Sequence, residues 1–181
     1  RQRAFHAPID AQALSQYQVF KKLGFFGIDS SSRNGAAKFL KVSRGLMQRK
    51  EFSLFITPEG RFADVRDHDA AMQPGLAHLC QTASTGHVLA MAMEYQFWDE
   101  RLPVCLIHFS DPLSLRDDLA SKTQWQTRLA KQLRNTQSEL SDLAIDRVDT
   151  PFKNLLPGRK GAGGVYQVAR TIKSWFTQKP L

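Results

Sequence analysis

A chain of 181 residues that is 42% apolar and 23% charged can bury a core, which excludes a disordered or fibrous segment and makes one globular domain the expectation. Its net charge of +8 is uneven: +8 over residues 1–50, −6 over 51–100 and +6 over 101–181. Two basic segments flanking an acidic one suit phosphate-bearing partners, whether nucleic acid, anionic lipid or a phosphorylated cofactor, and equally suit a plain solvated basic surface.

In chain order, Asp10 caps a helix that carries Ala11, Ala13, Leu14 and Tyr17 and runs to about Lys22, before Gly24. Phe25 to Asp29 reads as a short buried strand. Ser30, Ser31 and Ser32 offer caps for a second helix through Ala36, Ala37, Leu40, Arg44 and Met47, with Lys38, Lys41 and Arg49 on its other face. Phe52 to Thr57 is again a strand. Residues 58–74 hold Pro58, Gly60, Pro74, six charged residues and His68 without periodicity, the pattern of a long loop, and such loops are often functional. Pro74 and Gly75 open a helix with Leu76, Leu79 and Cys80 that ends near Gly86; Val88 to Tyr95 and Pro103 to Phe109 follow as strands.

This alternation of helix and strand predicts an α/β fold with a mainly parallel sheet flanked by helices. From about Leu113 the pattern turns helical, with Trp125, Leu129, Leu133, Leu140 and Leu143 at helical spacing. A Gly-rich stretch from Pro157 to Gly164 reads as a basic connector rather than a phosphate loop, since no Gly-Lys-Ser/Thr ending follows. The last helix carries Val165, Val168, Ala169, Ile172, Trp175 and Phe176 on one face, suited to packing on the domain's own core or to a membrane surface. Residues 1–110 are thus expected to form the α/β core and 111–181 a helical C-terminal extension of the same domain.

Cys80 and Cys105 sit among apolar neighbours and are both expected in the core as reduced thiols. The longest apolar stretch, Val88 to Met93, is far shorter than the ~20 residues of a spanning helix, so membrane contact is expected to be peripheral. The chain opens at Arg1 and enters structured sequence at once, and a segment upstream is expected.

Two places carry chemistry. Ile56-Thr57-Pro58-Glu59-Gly60-Arg61-Phe62 lies where a strand ends and a loop begins. There Gly60 admits close approach to the backbone, Arg61 offers paired donors to phosphate, and Glu59 can orient a hydroxyl or that arginine. The second is the strand end Gly27-Ile28-Asp29, followed by Ser30 to Ser32 and Arg33 at a helix start, where free N–H groups and a cation favour an anion. Taken singly, each is equally a tight turn with a surface ion pair or a serine-capped helix.

In their order and spacing these pieces resemble the lysophospholipid or glycerolipid acyltransferase family. Gly24-Phe25-Phe26-Gly27-Ile28-Asp29 with Arg33 resembles the family's second block, and Phe55-Ile56-Thr57-Pro58-Glu59-Gly60-Arg61 its third. Pro74-Gly75-Leu76-Ala77 followed by Val88 to Met93 resembles the fourth, so the likeness covers roughly residues 10–110. The chain departs in having no Thr or Ser between Gly60 and Arg61 and no proline in the fourth block, the marks of a divergent branch. The first block, H-x-x-x-x-D, is expected upstream of Arg1. His6 and Asp10 are one residue too close to match it and serve only as secondary catalytic candidates, the more ordinary reading being a strand-end or surface histidine and a helix cap. His68, His78, His87 and His108 have no aspartate at catalytic spacing and read as structural or surface residues.

The resemblance implies transfer of a fatty acyl group from acyl-CoA or acyl carrier protein to a hydroxyl of a lysophospholipid- or glycolipid-like acceptor, with Arg33, Glu59, Gly60 and Arg61 binding substrate. It implies no metal or redox cofactor, and a cytoplasmic protein peripheral to the inner face of the membrane. A non-catalytic homologue that binds lipid or acyl carrier protein is the alternative. A nucleic-acid partner is not expected, because no recognised motif accompanies the charge.

Overall fold

The computed structural model of the chain describes residues 4–49, 51–61, 63, 64, 67, 69–98, 102–116 and 120–156. The Gly-rich connector and the last helix expected from sequence lie outside them. The chain divides into two compact units, Arg1–Ala90 with Asp111–Arg134, and Met91–Ser110 with Asn135–Leu181. The fold is α/β.

The first unit is built on a three-stranded parallel sheet of β1 (Ala4–Asp10), β2 (Phe25–Ile28) and β3 (Phe52–Leu54), in the order β2-β1-β3. Parallel neighbours need helical crossovers, and the two intervening segments supply them. The first holds α1 (Ala11–Gln16) and α2 (Val19–Lys22), two short helices broken at Tyr17 where one was expected. The second holds α3 (Arg33–Met47), which buries Phe39, Ser43 and Leu46 and leaves Lys38, Lys41 and Arg44 exposed, as its amphipathic spacing requires.

The central strand was not evident from sequence because Pro8 interrupts it, and proline removes a ladder donor. Its position explains why it is tolerated. Even-numbered residues of β1 bond toward β3: Ala4 N–H donates to the Glu51 carbonyl at 3.4 Å, and the His6 carbonyl accepts from Phe55 N–H at 2.9 Å. Pro8 has the same parity, but the pairing with β3 ends at His6, so the missing N–H faces no strand.

The unit's main core joins α4 (Pro74–Thr82) to the first half of α5 (Lys122–Ile145): Ala77 and Cys80 pack with Leu115, Trp125 and Leu129. A capping box starts α5, with Gln124 N–H donating to Ser121 Oγ at 3.3 Å and Ser121 N–H to the Gln124 side chain at 2.7 Å. Between α4 and α5, β4 (His87–Val88) pairs antiparallel with β7 (Leu113–Ser114), where the sequence pattern had suggested the start of a helix.

In the second unit, β5 (Met91–Gln96) and β6 (Val104–Phe109) form an antiparallel hairpin. The mainly parallel sheet expected from sequence is therefore confined to β1–β3; the seven residues from 97 to 103 are too few for a parallel crossover. One face of the hairpin packs Ala92 and Leu106 on Leu140 and Ala144 of α5, and Trp98 Nε1–H donates to the Ala144 carbonyl at 3.0 Å. Cys105 lies on the other face, opposite Tyr95, and is exposed; the expectation of a core thiol fails because strand alternation turns it outward.

Two measurements check this packing. Leu140→Ala, which empties a fully buried site, is expected to cost about 2–5 kcal/mol in denaturant unfolding. Burial pushes the Cys80 thiol from 9.0 up to about 12, so the folded state favours the neutral thiol. Stability is then complete below pH 9.0 and falls as pH rises from there toward 12. A thiol reagent at neutral pH is expected to label Cys105 and to reach Cys80 only on unfolding.

Candidate site at the strand ends

Because β1, β2 and β3 are parallel, their C-terminal ends share one edge of the sheet, the usual location of functional groups in open α/β sheets. With strands spaced about 4.8 Å apart, β2 and β3 stand on the order of 10 Å from each other on either side of β1. The two segments singled out in the sequence, Asp29 to Arg33 after β2 and Thr57 to Arg61 after β3, therefore leave the sheet at the same edge.

The first segment is a tightly bonded turn. Asp29 Oδ1 accepts from Ser31 N–H at 3.1 Å and from the Ser31 hydroxyl at 2.6 Å, and Ser32 Oγ caps α3 by accepting from Gly35 N–H at 2.9 Å. Gly35 is required there, since a Cβ would overlap the Asp29 carbonyl oxygen. The hydrogen bonds from Ser31 and Ser32 hold the Asp29 carboxyl below its ordinary 3.8. They therefore favour the folded turn above that pH, and the contribution is lost as pH falls through the lowered value. Arg33 is the first residue of α3 and is exposed.

The second segment begins the connection from β3 to α4, whose neck is closed by Gln73 N–H donating to the Pro58 carbonyl at 2.7 Å. Gly60 adopts φ 66°, the left-handed region that glycine takes without strain. Gly60 N–H donates to the Thr57 carbonyl at 3.2 Å, and the Gln73 side-chain amide donates to the Glu59 carbonyl at 3.4 Å. From α5, Gln126 Nε2 donates to the Met72 carbonyl at 2.8 Å and the Arg134 guanidinium to the Ala70 carbonyl at 2.8 Å. Arg134 also pairs with Glu59 at 3.6 Å, both side chains being largely buried at 18% and 15% exposure.

Glu59 thus turns inward to Arg134 rather than toward Arg61. Arg61 points outward, 57% exposed, and meets Asp67 at 3.5 Å. The two neighbouring motif residues take separate tasks, Glu59 fixing the loop and Arg61 presenting a cation on it.

His6 is neither at a strand end nor on the surface. It sits within β1, half-buried, with Nδ1 3.3 Å from the Gly24 carbonyl and Nε2 enclosed without a hydrogen-bond partner. Asp10 is four residues on, about 13 Å along an extended strand, so the two cannot act as a pair. Asp10 caps α1, its carboxylate accepting from Gln12 and Ala13 N–H at 2.9 and 3.0 Å. In the second unit His108 Nε2 lies 3.0 Å from Glu139, an exposed contact across hairpin and helix. Arg44 donates to His78 Nε2 at 2.7 Å, while His68 lies outside the described residues. Among the described residues, a surface depression lined by Ala37, Leu40, Lys41, Arg44, Gly45 and Gln48 includes none of the strand-end residues.

Arg134, Gln126 and Gln73 escaped the sequence reading. The signal available for Arg134 was its place between Leu133 and Thr136 on an apolar helix face, where a cation needs a partner.

Removing one member of a buried ion pair leaves the other unpaired, so Arg134→Met is expected to destabilise the chain by about 3 kcal/mol. It is also expected to accelerate amide hydrogen exchange across residues 58–73 selectively. Protection unchanged there would show that the pair does not hold the loop.

No protein-family model, curated protein or solved structure matches this chain.

Proposed function

We propose that this chain belongs to an O-acyltransferase of the glycerolipid type. In this reading it moves a fatty acyl group from acyl-CoA or acyl carrier protein to a hydroxyl of a lysophospholipid- or glycolipid-like acceptor at the cytoplasmic face of a membrane. The observation that carries the reading is the emergence of the Asp29–Arg33 and Thr57–Arg61 segments at one edge of a parallel sheet, with Arg33 and Arg61 both exposed. Two cations on loops leaving one sheet edge suit an acceptor that carries phosphate.

The residues take distinct parts. Arg61 and Arg33 bind the anionic head of the acceptor. Gly60 lets that head approach the backbone, and Glu59 acts indirectly by keeping the loop against α5 through Arg134. A general base takes the proton from the acceptor hydroxyl, the oxygen attacks the thioester carbonyl, and the tetrahedral intermediate expels the thiolate, which is then protonated. His6 does not serve as that base, since its Nδ1 is engaged by Gly24 and its Nε2 is enclosed. The reading assigns the base to a histidine of an H-x-x-x-x-D block before Arg1.

Among the described residues no helix is long and apolar enough to cross a membrane, which fits attachment at the surface. In the complete protein, Arg61→Ala is expected to lower thioester release in the presence of a lysophospholipid acceptor by about 100-fold, while leaving the unfolding midpoint unchanged. Turnover equal to the unsubstituted protein would remove Arg61 from the site and the reading with it.

A further inference from the structure

The first unit carries a surface that acyl transfer does not use. Around the break between α1 and α2, three large apolar side chains face water: Tyr17, Val19 and Leu23 are 58%, 59% and 55% exposed. Lys21 and Lys22 are exposed between them. The apolar surface continues onto the sheet as a chain of rings. Tyr17 meets Phe20 at 6.1 Å, Phe20 meets Phe25 at 5.3 Å, Phe25 meets Phe5 at 5.4 Å, and Phe5 meets Phe55 at 5.0 Å. Phe5 and Phe55 are themselves exposed. Tyr17 is therefore linked through Phe20 of α2 to rings that belong to strands.

No aspartate or glutamate occurs between Ala11 and Ile28, and residues 11–50 hold eight Lys and Arg against the single acid Asp29. Of the flanking acids, Asp10 caps α1 with its carboxylate and Glu51 lies next to the Ala4–Phe5 end of β1, its carbonyl accepting from Ala4 N–H. Apolar side chains standing in water beside lysines match the chemistry of an anionic bilayer surface.

We infer that this patch docks on an anionic lipid bilayer, with Tyr17, Val19 and Leu23 entering the boundary between headgroups and acyl chains and Lys21 and Lys22 lying among the headgroups. Tyrosine suits such a boundary, being apolar along its ring and polar at its tip. A second copy of the chain fits less well, because a two-fold contact through the patch sets Lys21 and Lys22 against the same lysines of the other copy. Docking of this kind needs no turnover, so it stands or falls separately from acyl transfer.

The test is sedimentation of the full chain with vesicles of phosphatidylcholine alone and of equimolar phosphatidylcholine and phosphatidylglycerol. Binding is expected on the anionic vesicles and is expected to weaken as salt is added. Lys21→Glu with Lys22→Glu, and separately Val19→Ser with Leu23→Ser, should each lower the vesicle affinity roughly tenfold or more. Lys38→Glu with Lys41→Glu, which changes charge equally on α3, should lower it less. These side chains are exposed and folding should survive; if a circular dichroism melt shows that the serine pair does not fold, Val19→Ser alone takes its place. The inference is overturned if the full chain binds neither vesicle, if the α3 charge reversals cost as much as those at Lys21 and Lys22, or if the serine variant binds unchanged. Binding to polyglutamate as tight as to vesicles overturns it in favour of an acidic protein. A dimer that the serine variant dissociates, without vesicle binding, overturns it in favour of a second copy.

Discussion

The pairing of β1 with both β2 and β3 in the same direction constrains the rest of the first unit. Parallel neighbours cannot be joined by a tight turn, so residues 11–24 and 29–51 must leave the sheet and return over its length. That requirement gives α1, α2 and α3 their positions and puts the end of every strand at one edge. It also makes Asp10 serve twice, as the last residue of β1 and as the cap of α1. The candidate site is a consequence of this topology, because loops that lie far apart in sequence leave the sheet together.

The magnitudes of two ion pairs on the 58–73 loop decide which of them holds it. Glu59 and Arg134 are both largely buried, and Arg134 has in addition the Ala70 carbonyl, so losing either partner strands a charge in poorly hydrated surroundings at a cost of several kcal/mol. Arg61 and Asp67 meet in water at 3.5 Å, where such pairs contribute about 0–1 kcal/mol. The loop is thus braced from α5 through Glu59, and the exposed pair adds little to that bracing.

Where local pattern and tertiary context agreed, the sequence was readable. Phe25 to Asp29 matched β2 to within one residue, and the serine caps, the amphipathic spacing of α3, the strand from Phe52 and the helix opened by Pro74 all appear where their own residues indicate. The parts that could not be read depend on pairing over distance. Pro8 conceals β1, and only the stagger between β1 and β3 shows why it is harmless there. Cys105 has apolar neighbours in sequence, yet strand alternation sends it to the outer face of the hairpin. In the candidate site, the residue types at 59–61 were legible but their directions were not. Adjacent residues in a turn diverge, and the partner that draws Glu59 inward lies 75 positions away on α5.

The uneven charge of the chain acquires a physical sense from this arrangement. Four of the middle segment's eight acids lie in the loop, where Glu59 and Asp67 are paired with arginines. In the basic first segment Asp29 is turned into its own serine-bonded turn, and the lysines of α2 and α3 remain in water. Lys21 and Lys22, set between Tyr17 and Leu23, and the lysines of α3 are all exposed, so salt screens each of them and their attraction for anions is an ionic-strength-dependent effect.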